Sequence, residues 1–382
     1  MKDSKKIRVM VLYGGRSGEH EISLRSAASV IRFLDPARYE VIPVAIDKQG
    51  KWLLNDMSLI EKSAQVLPVY KDAPHVVLPP NPGSAEAGLI RLGSSGKTQG
   101  IDVVFPVMHG PLCEDGTIQG LLELADVPYV GCGVLASAVG MDKDVAKRLV
   151  RDAGLPIVPY IALKKEAWNH QKKEVSARVA KELSYPVFVK PANLGSSVGV
   201  HKVKESSQLE SALSDAFRYD VKVLIEKSVN AREIEFSVLE NADPGKPPLV
   251  SIPGEIVPKH EFYSYDAKYL DETGAELLIP APLSPEQVTE AQNIARSAFQ
   301  VLECEGMARV DLFLDKKSGE FFFNELNTLP GFTSISMYPK LWESSGIPYQ
   351  DLLTKLIDLA INRHNRKNKL VRDFLHDSEG NE

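Results

Sequence analysis

The sequence predicts a mixed α/β (α+β) protein of more than one unit, and three observations predict it. The chain opens as strand, loop, helix and strand: IRVMVLY (7–13) is continuously apolar, Ile22, Leu24, Ala27, Ala28 and Ile31 recur at helical spacing, and YEVIPVAID (39–47) is apolar again. That order predicts a parallel sheet. Two further runs of helix and strand begin near Met141 and Val221. Finally, 382 residues are too many for one ordinary core, so two or three domains are expected.

The elements follow in order. The first strand runs into GGRSGEHEIS, whose glycines permit a turn before the helix. Residues 50–100 lose periodicity and gather Pro, Gly and Ser, which predicts an insertion of surface loops and short elements. IDVVFPVMHG (101–110) restores a strand with a polar end, and GTIQGLLELADVPYVG reads as a short helix and a strand. MDKDVAKRLVRDAG is a helix with Gly154 as its stop. PIVPYIAL, a charged helix over about 168–183, PVFVK and VGVHKV complete a second unit. VKVLIEKSV and AREIEFSVLE are strands around a polar turn and begin a third. MARVDLFLD (307–315), GEFFFNELN (319–327) and a last helix over about 348–363 continue it.

Composition narrows the function classes. Apolar residues make up 43% and charged residues 25%, the balance of a soluble globular protein. A net charge of −6 disfavours non-specific nucleic-acid binding, so a phosphate site has to be a local basic patch. The first apolar run is too short for a signal peptide, and no run reaches the roughly 18 apolar residues of a membrane span. Cys113, Cys132 and Cys304 form no CxxC pair, which supports neither a disulfide framework nor a zinc site and fits a reducing cytoplasm.

Two phosphate-loop patterns fail on inspection. GSSGKT (93–98) ends like a Walker A motif, but Arg91 stands where the first glycine is needed. GCGVLA (131–136) fits GxGxxA, yet no acidic residue ends a strand about 20 residues later to hold a ribose. VFVKPANLGSSVGV (187–200) is a strand, a small-residue turn and a second strand; it reads as a hairpin or as a flap over phosphate. Glu19, at the start of the first helix, is either a cap or a partner for an ammonium group. His109 ends a strand, where ligands gather in open parallel sheets, but a lone His is more often structural.

The strongest pattern is in the third unit. Alternation puts Arg309 and Asp311 on one face of MARVDLFLD, and Glu325 and Asn327 on one face of FFFNELN. Phenylalanines surround them, and buried carboxylates are costly unless paired or metal-bound. Asp, Glu and Asn are hard oxygen ligands of the kind Mg²⁺ takes, in preference to a structural ion-pair network. Lys143, Lys190 and Lys268 are basic partners by type, and KHEFYSYDAKYLDETG (259–274), which holds Lys268, reads as a lid. NTLPGFTSISM (327–337) is a Pro-Gly turn into a helix start, which is either a Ser cap or an anion site.

Taken in order, GGRSGEHEIS, HGPLCEDGTIQG, GCGVLASAVGMDK, VKPANLGSSVGV, LIEKSV with Glu233, YDAKYL, ARVD and NELNTLPGFTSIS resemble the D-alanine–D-alanine ligases of the ATP-grasp superfamily. The resemblance spans nearly the whole chain; residues 50–100, 242–258 and the tail carry little of it. It implies an ATP-grasp fold of three α/β domains: N-terminal 1–141, central 142–225 and C-terminal 226–382, with ATP between the last two. By the same resemblance, Lys143 and Lys190 contact the ATP phosphates, and Lys268 reaches the γ-phosphate. Glu226 and the Lys227 backbone read the adenine, and Glu233 the ribose. Asp311, Glu325 and Asn327 hold two Mg²⁺ (or Mn²⁺) ions. Glu19 binds the first substrate's ammonium with Ser196 and Tyr269 completing a trio, and His109 lies near that D-alanine. Ser336 and Met337 hold the second substrate, while Arg309 and the Gly331 backbone stabilise the oxyanion. ATP and D-alanine as substrates, a homodimer and a role in peptidoglycan precursor synthesis follow from the resemblance alone. Small residues at Ser228 and Val229 leave the purine wall open to question. Three other readings stand beside this one: a D-alanine–D-lactate or D-alanine–D-serine ligase, a dinucleotide oxidoreductase using GCGVLA, and a non-catalytic nucleotide-binding regulator.

Overall fold

A computed structural model describes residues 5–60, 65–80, 88–93, 98–258 and 275–371. The first strands along the chain are β1 (Ile7–Gly14), β2 (Tyr39–Ile46), β3 (Trp52–Leu54), the short β4 (Val76–Val77), β5 (Gly88–Arg91) and β6 (Thr98–Gly100), and β7 (Val103–Val107). β1 pairs in parallel with β2 and β7, as the strand–helix–strand opening predicts, and β3 closes one edge in antiparallel register. β1 is buried on both faces, which is why it reads as an unbroken apolar run. Val9, Val11 and Tyr13 enter one core, and Met10 and Leu12 the other. The insertion folds into a small antiparallel sheet of β4, β5 and β6. The strand expected in DVPYVG shrinks to one bridge between Val104 and Tyr129. Pro128 has no amide to donate, and Gly131 at φ +97° turns the chain away.

The second sheet is antiparallel: β8 (Tyr160–Lys164), β9 (Val187–Pro191), β10 (His201–Val203) and β11 (Lys222–Lys227), in the order β10-β9-β11-β8. Val187, Val189, Val223 and Ile225 face its helices. Period-2 alternation therefore sends Lys190 and Glu226 to the opposite face. The charged helix is two helices, Lys165–His170 and Lys172–Glu182.

The third sheet comprises β12 (Ala231–Leu239), β13 (Leu249–Val250), β14 (Gly254–Pro258), β15 (Ala275–Leu278), β16 (Met307–Asp315) and β17 (Phe321–Asn327). Its main order is β15-β14-β12-β16-β17. Ile234, Phe236, Val238, Val310 and Leu312 pack against the helix Pro285–Val301. Sequence reading passed over that helix, although Ser284 and Gln287 form a capping box around Pro285 at its first turn. The helix Lys143–Asp152 buries Ala146 and Val150 in the same core. β14 and β15 pair with each other. The expected lid between them, with Lys268 and Tyr269, lies outside the described residues.

The last helices, Met337–Ser344 and Tyr349–Lys367, return to the first sheet. Tyr338, Trp342, Leu352, Leu356 and Ile357 share a core with Val9, Val11 and Phe105. Buried Arg363 donates to the carbonyls of Gly131 (2.5 Å) and Tyr129 (2.7 Å) and fastens this helix to the turn before residue 134.

Candidate active site

β1 delivers the GGRSGEHE loop to the end of the parallel sheet. Gly14, at φ +88°, passes so close to Ile46 that a Cβ would stand 2.2 Å from its carbonyl oxygen. Glu19 follows just before the helix His20–Phe33, but its side chain makes no capping bond there. It accepts instead from Ser196 Oγ at 2.5 Å, across 177 residues of chain. Ser196 and Ser197 hold φ values of +55° and +58°, a left-handed turn that few non-glycine residues adopt. Asp220 accepts from the Asn193 amide at 2.7 Å, and Leu194 O accepts from Lys143 Nζ at 2.8 Å, so the base of this flap is tied down. A Cβ at Gly110 would lie 2.7 Å from Glu19 Oε2.

His109 lies two residues beyond the end of β7 and is buried. Its ring contacts Ser26 Oγ and Leu329 O, both at 3.2 Å, and Glu114 Oε1 lies 3.8 Å from Nδ1. Burial pushes the imidazole pKa down, but the carboxylates of Glu114 and Glu19 outweigh it and the net direction is up.

The predicted acidic row exists and is longer than predicted. Arg309 stands opposite Asn327, and Asp311 opposite Glu325. On the other flank, β12 sets Glu235 opposite Asp311 and Ser237 opposite Arg309. Arg309 grips Asp311 with Nε and Nη2, each at 2.7 Å, and its Nε is 3.3 Å from Glu235 Oε2. Burial works against the guanidinium charge, and Asp311 and Glu235 override it, so Arg309 stays protonated. Lys143 Nζ lies 3.1 Å from Glu325 Oε2. Strict alternation along FFFNELN places Asn324 with Leu326 on the face opposite Glu325 and Asn327, and the structure corrects this. The register shifts between Asp311 and Leu312, so Asn324 is an extra residue and Phe323, not Asn324, faces the core with Leu326. A bulge of this kind bends the strand and re-aims its neighbours.

Among the described residues no group of three His, Cys, Asp or Glu side chains surrounds a metal position. Two facing carboxylates and an amide nevertheless fit Mg²⁺, a hard ion usually held by one or two carboxylates, with water and substrate phosphate oxygens completing its octahedron. Asn327 Oδ1 also accepts from the Leu329 amide at 2.9 Å.

Glu226 is buried between two ammonium groups. Lys190 Nζ donates to Oε1 at 2.6 Å, and Lys147 Nζ lies 3.0 Å from Oε2. Burial alone would raise this carboxyl; the two lysines overrule it and hold it at about 2. Lys190 also sits 5.6 Å from the Phe313 ring centroid, which brings the second sheet's face against the third's. The Lys227 amide is bonded to Pro159 O at 3.0 Å, and Glu233 lies on β12 at the outer end of the row. Ser336 Oγ turns away from its own helix to Thr333, at 3.0 Å from the amide and 2.8 Å from the hydroxyl. Gly331 lets this turn close, since a Cβ would stand 2.8 Å from Ser336 Oγ. The Met337 side chain is buried against Gly254, so its backbone is the part left for a ligand.

Glu114, Lys147 and Glu235 were not singled out in the sequence. Two of them had a signal: Lys147 is one helical turn from Lys143, and Glu235 alternates with Glu233.

Two antiparallel sheets that bring lysines to a carboxylate-bearing face beneath a small-residue flap define an ATP-grasp protein. The D-ala D-ala ligase N-terminus family model matches residues 8–132, and the D-ala D-ala ligase C-terminus model matches residues 149–358. The chain belongs to the D-alanine–D-alanine ligase family. It is 56% identical to D-alanine–D-alanine ligase A of Bradyrhizobium diazoefficiens over 97% of this chain and 99% of that one. It is 48% identical to the D-alanine–D-alanine ligase of Heliobacterium modesticaldum, with the same coverage of 97% and 99%. Among solved structures, the D-alanine-D-alanine ligase of Coxiella burnetii superposes with a TM-score of 0.82 at 36% identity, covering 97% and 98%. The VanG D-Ala:D-Ser ligase of Enterococcus faecalis does so at 0.80 and 34%, covering 93% and 100%. The fold is therefore shared by ligases with different second substrates.

Proposed function

We propose that the chain joins two D-alanines into D-alanyl-D-alanine at the expense of ATP, through a D-alanyl phosphate. The observation that carries this reading is the contact of Glu19 with Ser196, which joins the first sheet's loop to the flap. A carboxylate is a poor electrophile. The first D-alanine's carboxylate attacks the γ-phosphorus of ATP, and ADP leaves. The second D-alanine's neutral amine then attacks the acyl carbonyl, and phosphate leaves with the bonding pair. Phosphoryl transfer of this kind is catalysed chiefly by positioning and charge neutralisation.

Glu19 would hold the first ammonium group with Ser196 and Tyr269, and His109 would lie beside the same D-alanine. Lys143, Lys190 and Lys268 would hold phosphates; Glu226 and the Lys227 backbone the adenine; Glu233 the ribose. Arg309 and the Gly331 amide would receive the oxyanion, and Ser336 with the Met337 backbone the second carboxylate. Asp311, Glu325 and Asn327 would hold two Mg²⁺ or Mn²⁺ ions, which neutralise phosphate charge when bound. The acyl phosphate is hydrolysable, which gives the flap and the 259–274 segment a reason to close over it. The units 1–141, 142–225 and 226–382 would act as the three domains, in a cytoplasmic homodimer that supplies peptidoglycan precursor synthesis. No helix among the described residues is long and apolar enough to cross a membrane.

With ATP, Mg²⁺ and D-alanine, phosphate released will equal D-alanyl-D-alanine formed. Dipeptide absent, with product appearing only on adding D-lactate or D-serine, reassigns the second substrate. Thermal stabilisation by NADH and not by Mg-ATP would remove the nucleotide reading.

A further inference from the structure

We infer that Lys147 is the fixed counter-ion of the nucleotide site: it keeps the Glu226 carboxylate partnered so that Lys190 can leave it for a nucleotide phosphate. The inference rests on the nucleotide reading above. Lys147 follows Lys143 by one turn on the same face of the helix Lys143–Asp152. The two lysines differ in access, with side-chain exposures of 12% for Lys143 and 1% for Lys147. Lys147 Nζ lies 3.0 Å from Glu226 Oε2 and donates to the Phe323 carbonyl at 3.2 Å. Those partners belong to β11 and β17, so Lys147 is held between the two sheets and has no route to a ligand.

Lys190 is placed differently. It takes the other Glu226 oxygen at 2.6 Å, keeps 13% exposure and stands over Phe313 on the face that carries Asp311. A lysine in that position reaches a phosphate only by loosening its hold on Glu226. Were Lys190 the sole partner, its departure would strand a carboxylate that is 2% exposed, a heavily penalised state. Lys147 removes that penalty, because one buried charge pair remains when Lys190 turns away. A lysine that only bolts the sheets together would instead affect every ligand of the cleft alike.

The test compares ATP with adenosine by calorimetry on the full chain, for wild type and Lys147→Met. In the variant Lys190 stays on Glu226, so ATP affinity falls about tenfold or more while adenosine affinity stays within about twofold. Adding Glu226→Gln frees Lys190, and the double variant favours ATP over adenosine by a larger ratio than Lys147→Met alone. An unchanged ATP affinity, or an equal loss for ATP and adenosine, overturns the inference. Should Lys147→Met not fold, the double variant carries the test. The ratio of ATP to adenosine affinity cancels any effect of Glu226→Gln on the adenine; a ratio within about threefold of wild type supports the inference, and a loss of that ratio as deep as in Lys190→Met overturns it. A wild-type chain that binds no ATP overturns the nucleotide reading and this inference with it.

Discussion

Glu226 shows how much one buried carboxylate constrains. Its pKa is held at about 2 against an ordinary value of 4.5, so it binds fewer protons folded than unfolded through that window. The stability it contributes is fully present above about pH 4.5 and is lost as pH falls toward 2. Wild type should therefore lose more stability between those two pH values than Lys147→Met/Glu226→Gln, as read by urea unfolding at each pH. Equal slopes would mean that the carboxyl is not held down. Glu325 makes a second test. It is half-buried on the carboxylate-bearing face and paired to Lys143. If Glu325 holds metal as proposed, Glu325→Ala should fold normally and lose turnover by roughly a hundredfold or more, since the core face stays intact. Unchanged turnover would remove the metal assignment.

Among the elements, β17 repays a closer test. The residue types of FFFNELN suggest strict alternation, but the ladder accommodates Asn324 as a bulge. Deleting Asn324 leaves Phe323 and Leu326 on the core face, because the bulged residue is the one removed. The variant should fold, with Glu325 re-aimed and turnover down by about tenfold or more. Wild-type turnover would make the bulge incidental. The flap is a second element with a defined anchor. Gly110→Ala puts a Cβ 2.7 Å from Glu19 Oε2 at a φ of +77°, so Glu19 has to move. The KM for D-alanine should rise by about tenfold while that for ATP changes little. A rise in both would show that the loop acts on more than the first substrate.

On the scale of the whole molecule, the chain closes on itself. Helices near its C-terminal end fill the core of the sheet that its first strand begins. Arg363 secures the closure through two backbone carbonyls and a cation–π contact with Tyr129 at 4.4 Å. Arg363→Ala leaves those carbonyls buried and should cost about 2–4 kcal/mol, read as a lowered midpoint in chemical unfolding. A midpoint within error of wild type would show that water replaces the guanidinium.

The sequence by itself determined the parallel opening sheet, the alternating faces of β16, and the row Arg309, Asp311, Glu325 and Asn327, while the bulge at Asn324 interrupts the alternation of β17. Those follow from periodicity, which is local: a strand's two faces are fixed by residue spacing of two. The helix Pro285–Val301 was equally legible through its capping box. Only the tertiary structure decided which distant groups meet. Glu19 with Ser196, His109 with Glu114, and Glu226 between Lys147 and Lys190 depend on how sheets pack, and nothing in local spacing encodes that. The same packing decides which charges are buried, and burial is what turns ordinary lysines and carboxylates into a site.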